Sequence, residues 1–454
     1  MSMVFNSLIF IFCFLPITWI LTRIVPTTFL KNLVLFIFSL LFYSWNEPFY
    51  VLLLLISIAW NYLTGLELEK ETGKTRKIVF WSAIAFNLFI LGAFKYTNFL
   101  LGIFGLEGFD FALPVGLSFF TFSAISYLAD VYKNDVPAQK NPLSLGLYIA
   151  FFGKISSGPI AFYRDMEPQF QNHPMNFTLF CEGLTLFTKG LIKKALFADS
   201  FALVFSSLAT NTSMAGAWLY ALSYMMQIYF DFSGYSDMAI GVSNMFGFKL
   251  KINFDHPYSA KSIQDFWRRW HISLSTWFRD YVYIPLGGNR HDYVRNILIV
   301  WFLTGLWHGA NWTFILWGLY YGGLILLEKF VLSAYLDKLP MAIRRIYTFV
   351  LVLFGWVFFF SDSILSAFGT FGHMFNFMNV CDSQALFVLV GHIPLFVLGF
   401  LLTGELFDKV EQFCFQKGFR YDKIVYTSLY LIGFLISVAF VVGSTYQSFL
   451  YFAF

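Results

Sequence analysis

The chain has 454 residues, of which 58% are hydrophobic, 22% are aromatic and only 12% are charged. Soluble domains carry about 25% charged residues, so this composition excludes an ordinary soluble protein and indicates one that crosses a membrane several times. The net charge of +4 is small, and the basic residues cluster in short connections, which indicates membrane topology rather than nucleic-acid binding. The 4 cysteines are far apart and form no disulfide or metal-binding pattern.

Long uncharged runs recur along the chain, and each is near or above the roughly 17–25 residues needed to span hydrocarbon. These runs cover residues 48–66, 78–94, 111–129, 200–230, 383–404 and 424–454. We predict an all-α polytopic integral membrane protein with about 11 to 13 transmembrane or re-entrant helices. The basic connection ELEKETGKTRK is predicted to face the cytoplasm, because short cytoplasmic loops are rich in Lys and Arg.

The middle of the chain differs from its two ends. Between about 140 and 295 the apolar runs are interrupted by Gly, Pro and charge, as in GKISSGPIAFYRD, KGLIKKALFAD and YFDFSGYSDMAIG. Broken backbone at membrane depth is tolerated only where protein or a water-filled cavity surrounds it, so we expect a cavity here. We predict one membrane-embedded domain over 1–454, with N-terminal spans over 1–135, a core of broken helices over 140–330 and C-terminal spans over 340–454.

Two carboxylates lie in the last of these interrupted stretches. Asp231 and Asp237 are surrounded by apolar residues, with Ser and Gly between them. A charge at the bilayer centre costs about 2.5–3.5 kcal/mol on insertion scales, so each needs a compensating environment. We expect them to cap a broken helix and to pair with a nearby Lys or Arg; lining a cavity is the alternative.

The segment SIQDFWRRWHISLSTWFRDYVYIPLGGNR predicts an aromatic and basic amphipathic helix of the kind that lies at a membrane surface. Ser262 followed three residues later by Asp265 is a helix-start signal. Asp265 and Arg269 form an acid-first pair at i,i+4, which is the favourable order. The Pro and Gly residues after position 284 are predicted to end this helix.

One residue of this segment does not fit a simple membrane anchor. His271 is predicted to project with Trp267 and Phe278 rather than with the charged residues. A histidine on an apolar face serves either as a hydrogen-bonded structural residue or as a chemical group, and the segment alone leaves both interpretations open.

A second histidine lies within LTGLWHGANWTFILWGLYYG. No charged residue occurs between 296 and 327, and a continuous helix over this range would be about 48 Å long, against roughly 30 Å of hydrocarbon. Gly305 and Gly309 flank His308, and Asn311 follows, so we predict that the helix breaks at the histidine. An ionisable residue at membrane depth is a functional candidate, although a histidine bonded between two helices is the structural alternative.

The other five histidines lie near loops or predicted span ends, and none forms a ligand set, so no metal site is expected. They are His173, His256, His291, His373 and His392. The chain also contains no Gly-x-Ser-x-Gly nucleophile motif and no phosphate-binding loop.

Along most of its length the chain resembles the membrane-bound O-acyltransferase family, and within it the bacterial branch typified by alginate O-acetyltransferase. The resemblance is carried by LLFYSWNEPFYVLLLLISI, FKYTNF, LPVGLSFFTFSAISYLADVY, SSGPI, YFDFSGYSDMAIG, FWRRWHISLSTWFRDYVYIPLGGNR and LTGLWHGANWTFILWGLYYG. Trp-His-Gly alone would be a weak signal, whereas the two histidine segments in this order with these flanks are highly specific.

The resemblance implies a ring of helices around a thin centre, where funnels from both sides meet in a tunnel. It also implies that His308, in LWHGANW, is the family's essential histidine and that His271, in RRWHISLS, is the second histidine of the branch. Five neighbouring residues are predicted to line the tunnel, contact substrate or support the histidines: Asn311, Trp307, Trp267, Arg269 and Asp265.

The implied function is transfer of an acyl group, acetyl being favoured, from a cytoplasmic thioester for O-acetylation of alginate, cellulose or peptidoglycan. No bound cofactor is expected; the donor is acetyl-CoA, another acyl-CoA or an acyl-carrier thioester. The expected partners are membrane lipid, an extracytoplasmic transferase of the SGNH type and a polysaccharide acceptor, in a bacterial inner membrane and without nucleic acid. The alternatives are D-alanyl transfer to teichoic acid, a transporter or flippase of an envelope precursor, and a non-catalytic scaffold.

Overall fold

A computed structural model of the chain describes residues 3–109, 112–406, 409 and 422–443. Over those ranges the chain consists of helices joined by short connections, without a β-strand. The α-helices, in order, are α1 Leu15–Ile24, α2 Thr28–Asn46, α3 Val51–Lys70, α4 Gly73–Lys95, α5 Thr97–Ile103, α6 Leu117–Lys133, α7 Pro142–Ala150, α8 Tyr163–Gln171, α9 Phe177–Ile192, α10 Asp199–Ser207, α11 Met214–Met245, α12 Ile263–Arg269, α13 Ile272–Phe278, α14 Tyr293–His308, α15 Trp312–Leu327, α16 Ser333–Leu336, α17 Met341–Phe360, α18 Ile364–Met374, α19 Ser383–Thr403 and α20 Asp422–Gly443. Short π-helical turns occur at Phe10–Phe14, Lys193–Ala198, Arg279–Tyr283 and Glu328–Leu332, and a 3₁₀ turn occurs at Pro257–Ser259.

Seven helical segments within the described residues are long and apolar enough to cross a membrane. They are Thr28–Asn46, Val51–Lys70, Gly73–Lys95, Trp312–Leu336, Met341–Phe360, Ser383–Thr403 and Ile424–Gly443. The predicted all-α polytopic fold is therefore confirmed. The larger number of 11 to 13 transmembrane or re-entrant helices stays a prediction.

The described chain divides into two compact units. Unit 1 contains residues up to 190 together with 235–252, and unit 2 contains 191–234 and the described residues from 253 onward. The predicted single domain over 1–454, with its three subdivisions, stays a prediction.

Unit 1 is organised around α6, which packs against α3 and α4. Every residue from Leu117 to Val131 is buried, as expected of a helix that is apolar on most faces. Gly65 of α3 lies against the Tyr127 ring, and a Cβ at that position would overlap the hydroxyl group. A residue without a side chain is thus needed where these two helices meet.

The predicted break in GKISSGPIAFYRD is confirmed, because residues 151–162 of unit 1 form an irregular connection between α7 and α8. Lys154 of this connection is buried, donates to Ser123 Oγ at 3.0 Å and lies over the Tyr148 ring at 4.2 Å. It borders a gap between α6 and the connection that is too narrow to hold a water molecule. The cavity expected in the middle region stays a prediction.

The expectation of a broken helix at YFDFSGYSDMAIG is wrong. Helix α11 runs without interruption from Met214 to Met245, so Asp231 lies inside a helix and caps none. The expected pairing of Asp231 is confirmed, because Lys194 Nζ lies 2.7 Å from its Oδ1 and 2.8 Å from Asp199 Oδ1. A lysine supplied by another helix neutralises the charge, so the backbone of α11 does not need to open.

Unit 2 contains a tightly packed helical hairpin, α14–α15. Gly305 of α14 and Gly318 of α15 allow the close approach: a Cβ at Gly305 would overlap the Phe314 carbonyl oxygen, and one at Gly318 would overlap the Trp301 carbonyl oxygen. Helix α17 packs on α15, and α12 packs on both α15 and α17. Small residues at a helix–helix contact are typical of membrane proteins, because backbone proximity maximises van der Waals contact.

Candidate functional site

The predicted break at His308 is confirmed. His308 is the last residue of α14, Gly309 is extended, and α15 begins at Trp312. Asn311 caps α15 by accepting the Thr313 N–H at 3.1 Å, and its own amide donates to the Asp362 carbonyl at 3.0 Å. The hairpin therefore turns at the histidine.

The His308 ring lies in an aromatic pocket of unit 2, and only 2% of the residue is exposed. Ring centroids of Trp307, Trp317 and Phe359 lie 4.8, 4.9 and 5.2 Å from the imidazole centroid, each approached edge to face. These three side chains come from α14, α15 and α17 and fix the position of the imidazole by packing. A histidine held in this way does not need to be ordered when substrate arrives.

The second histidine does not lie on a continuous amphipathic helix, and that prediction is wrong. The segment forms two short helices, α12 and α13, with Trp270 and His271 between them. His271 has φ 44° and ψ 55°, the left-handed conformation that non-glycine residues seldom adopt. Such strained backbone persists only where its surroundings hold it, and it occurs preferentially at functional sites.

Several contacts hold the His271 imidazole. Its Nδ1 lies 3.2 Å from Asn253 Oδ1, and its ring packs edge to face on Phe232 with centroids 4.6 Å apart. The Trp307 ring lies 6.0 Å away. His271 lies outside the seven segments that could cross the membrane, and burial lowers its pKa to about 3. The imidazole is therefore neutral at physiological pH.

The structure brings His271, His308, Trp307 and Trp267 into one aromatic region of unit 2. Trp307 approaches both imidazoles. Trp267 and His308 in turn share Trp317, whose ring centroid is 5.5 Å from that of Trp267 and 4.9 Å from that of His308. Two histidines 37 positions apart in the chain therefore reach the same group of rings.

The two charged candidates, Arg269 and Asp265, are more exposed than the two histidines. Arg269 Nε donates to Asp265 Oδ1 at 3.0 Å, and both side chains are partly exposed. Ser262 Oγ accepts the Asp265 N–H at 3.0 Å, which confirms the predicted start of this helix. These contacts hold α12, the helix that carries Trp267 and leads into His271.

Comparison with known proteins identifies the family of this chain. Residues 35–370 match the model of the membrane-bound O-acyltransferase family, MBOAT. The chain belongs to this family. It is therefore an O-acyltransferase and a multi-pass membrane protein.

Two relatives of known name align with the whole chain, and a third aligns with about half of it. A Pseudomonas putida protein named "Probable alginate O-acetylase AlgI" is 36% identical and aligns with 100% of both chains. A Helicobacter pylori "Peptidoglycan O-acetyltransferase" is 34% identical and aligns with 100% of this chain and 98% of its own. A Bacillus subtilis "Teichoic acid D-alanyltransferase" is 32% identical over 48% of this chain and 59% of its own.

Two residues that support the candidate site were missed by sequence reasoning. Asn253, in NFDHPY, gave no signal, because an asparagine before a proline-containing loop is ordinary. Glu328 did give one, as the first charge after the uncharged run 296–327. Its buried carboxylate accepts the N–H groups of Ile263 at 2.8 Å and Gln264 at 3.3 Å, and so caps the start of α12.

Proposed function

We propose that this MBOAT protein accepts an acetyl group from a cytoplasmic thioester for O-acetylation of a cell-envelope polysaccharide. The observation that carries the proposal is the approach of two buried imidazoles, those of His271 and His308, to the single indole of Trp307. The names of the alginate and peptidoglycan relatives support acetyl as the group transferred and a polysaccharide as its destination.

The reaction needs a base for the incoming hydroxyl group. In the proposed step the hydroxyl oxygen attacks the thioester carbonyl, His308 takes the hydroxyl proton, the C–S bond breaks and the thiolate leaves, to be protonated in turn. A histidine suits this role because its reference pKa, about 6.5, is close to the working pH. Such a base contributes typically about 10²–10⁴-fold to the rate.

His271 has a different role in this proposal. A group with a pKa of about 3 is a poor proton acceptor at neutral pH, yet a neutral imidazole still accepts and donates hydrogen bonds. We assign His271 the orientation of the incoming hydroxyl group. Trp307 and Trp267 would shape the passage around the reacting atoms. Asn311 would act as a donor to the developing negative charge only if its capping bonds were rearranged.

The donor and the partner follow from where each reactant is made. Thioesters such as acetyl-CoA are made in the cytoplasm, whereas envelope polysaccharides lie outside the membrane. Passing only the acyl group through a tunnel avoids moving either large polar partner through lipid. We therefore place the protein in the bacterial inner membrane, with a second, SGNH-type transferase carrying the acyl group onward to the sugar hydroxyl.

The test uses protein purified in detergent or reconstituted in vesicles. Radiolabelled acetyl-CoA, acetyl-loaded carrier protein and D-alanyl-loaded carrier protein are supplied separately with polysaccharide fragments, with and without the candidate transferase. We expect acceptor-dependent release of free thiol with an acetyl donor, and a fall of at least about 10²-fold for His308→Ala. His271→Ala is expected to lower the turnover rate as well.

His173→Gln is the matched control. His173 is also buried, in unit 1, where its ring nitrogens bond to the Phe246 carbonyl and to Asn32 at 2.9 and 2.8 Å. Its substitution is expected to change thermal stability and not turnover per folded molecule. If only the D-alanyl donor supports turnover, the transferred group is D-alanyl and not acetyl. Unchanged envelope acetylation in His308→Ala cells would refute the catalytic role and favour a scaffold, and substrate flux without acyl transfer would favour a transporter.

A further inference from the structure

A hydrogen bond from the backbone fixes which side of the Asn253 amide carries the oxygen. Its Oδ1 lies 3.1 Å from the backbone N of Ser273, which can only donate, so the atom there is the oxygen. The same oxygen accepts the Ser273 hydroxyl at 2.9 Å. Asn253 is only 1% exposed, so these bonds are protected from exchange with water.

This oxygen decides which nitrogen of His271 carries hydrogen. His271 Nδ1 lies 3.2 Å from Asn253 Oδ1, and two acceptors would repel each other at this distance. In a neutral imidazole only one nitrogen bears hydrogen, so an Nδ1–H leaves Nε2 with its lone pair. The bond made by one ring nitrogen thus sets the chemistry of the other.

The backbone of Asn253 supports the same arrangement. Its carbonyl accepts the Ile272 N–H at 2.9 Å, and the neighbouring Asp255 N–H donates to the Arg269 carbonyl at 2.9 Å. These two bonds tie residues 253–255 to the connection between α12 and α13. They hold His271 in its left-handed conformation from both sides.

We propose that Asn253 is a positioning residue that fixes His271 as the Nδ1–H tautomer, so that Nε2 acts as a hydrogen-bond acceptor. The inference rests on the proposed function and deepens it. An acceptor at Nε2 can hold a neighbouring O–H or N–H group of the same substrate and so orient the reacting hydroxyl group, whose own hydrogen is left to His308. An Nε2–H could not hold that neighbouring hydrogen, because it has no lone pair to accept it.

The tautomer is measured directly, without acyl transfer. The full-length protein is labelled with ¹⁵N-histidine, and its ring nitrogens are observed by solid-state NMR in lipid at neutral pH, where a hydrogen-bearing and a bare nitrogen resonate far apart. His271→Gln identifies the His271 signals by their loss. We expect hydrogen on Nδ1 in the wild type, retention of that pattern in Asn253→Asp, and a shift towards Nε2–H or a mixture in Asn253→Ala.

Kinetics provide the second measurement. Asn253→Ala should lower kcat roughly 10- to 100-fold, the scale on which groups that orient a histidine through its other ring nitrogen act, with KM changed less than about threefold. Asn253→Asp keeps an acceptor oxygen and should restore most of kcat. The matched control is Asn32→Ala, which removes another buried asparagine–histidine contact, to His173 in unit 1. It should lower stability and leave kcat per folded molecule unchanged.

Each outcome decides the proposal. A wild-type spectrum with hydrogen on Nε2 of His271 overturns it, whether or not any variant folds. An Asn253→Ala protein that is less stable but has the wild-type tautomer and kcat also overturns it, by making Asn253 purely structural. If the wild type transfers no acyl group from any donor, the proposed function fails while the spectrum still tests the tautomer.

Discussion

Replacing Lys194 by methionine removes the ammonium group that neutralises two carboxylates inside unit 2. Lys194 Nζ lies 2.7 Å from Asp231 Oδ1 and 2.8 Å from Asp199 Oδ1. The exposed fractions of the three side chains are 1%, 3% and 13%. Methionine has a similar length and packs well in apolar surroundings, so the substitution changes charge far more than volume.

The size of the effect follows from burial. Breaking a buried ion pair by removing one partner costs about 3–5 kcal/mol, because the remaining charge is left desolvated, and here two carboxylates lose their cation. At roughly 2 °C per kcal/mol, the lower figure for domains of 150–250 residues, the melting temperature should fall by about 6–10 °C.

The matched control is an ion pair of similar geometry in a different environment. Lys251 Nζ lies 2.6 Å from Asp165 Oδ2, but the lysine side chain is 73% exposed. An exposed pair contributes about 0–1 kcal/mol, so Lys251→Met should shift the melting temperature by less than about 2 °C. The assay is thermal denaturation of both detergent-purified variants, followed by intrinsic tryptophan fluorescence. Equal shifts in the two variants would refute the reasoning, since burial would then not determine the cost.

Two further predictions concern packing and pH. Gly318→Ala should cost about 1–3 kcal/mol, because its Cβ would overlap the Trp301 carbonyl, whereas Gly323→Ala on the same helix meets nothing within 4 Å and should be neutral; unfolding midpoints compare them. Lys154 lies outside the seven segments that could cross the membrane, and burial lowers its pKa from 10.5 to about 7. The unfolded chain therefore binds more protons between these values, and wild-type stability should rise with pH from about 7 towards 10.5. Lys154→Met should lose that slope, and an identical pH dependence in both proteins would contradict the assignment.

The break at His308 was predictable because it follows from lengths. Thirty-two uncharged residues exceed the hydrocarbon thickness as one helix, and a histidine between Gly305 and Gly309 is a natural place to turn. The glycines have a further purpose that sequence could not reveal. Gly305 admits the backbone of α15, which is a property of the partner helix and not of the local sequence.

The break at His271 could not be predicted, because the local pattern favours a helix. Apolar and charged residues alternate with helical period through the whole segment, and the start signal at Ser262 is real. The interruption is imposed by residues 253–255, whose backbone takes the hydrogen bonds that a continuous helix would have made. Tertiary contacts thus override local periodicity at this site.

The opposite error occurred at Asp231, where polar residues suggested a break that does not exist. The sequence predicts both a helix break and a Lys or Arg partner to compensate the buried carboxylate. Lys194, 37 positions earlier, is that partner, and with it no helix break is needed. A charged residue in an apolar run therefore predicts a partner more safely than it predicts irregular backbone.

The positions of the two histidines also support different roles for them in the proposed reaction. His308 ends the 16-residue helix α14, whose last carbonyl groups carry partial negative charge and stabilise a cation by about 0.3–1 kcal/mol. In the proposed step, the proton taken up by His308 would lie within that field. His271 is instead held by the neutral Asn253 amide and buried beside Phe232, and this burial disfavours a positive charge on its ring. In the proposed reaction, the two imidazoles near one indole thus have unequal tasks: His308 would accept the proton, and His271 would orient the substrate whose hydroxyl group releases it.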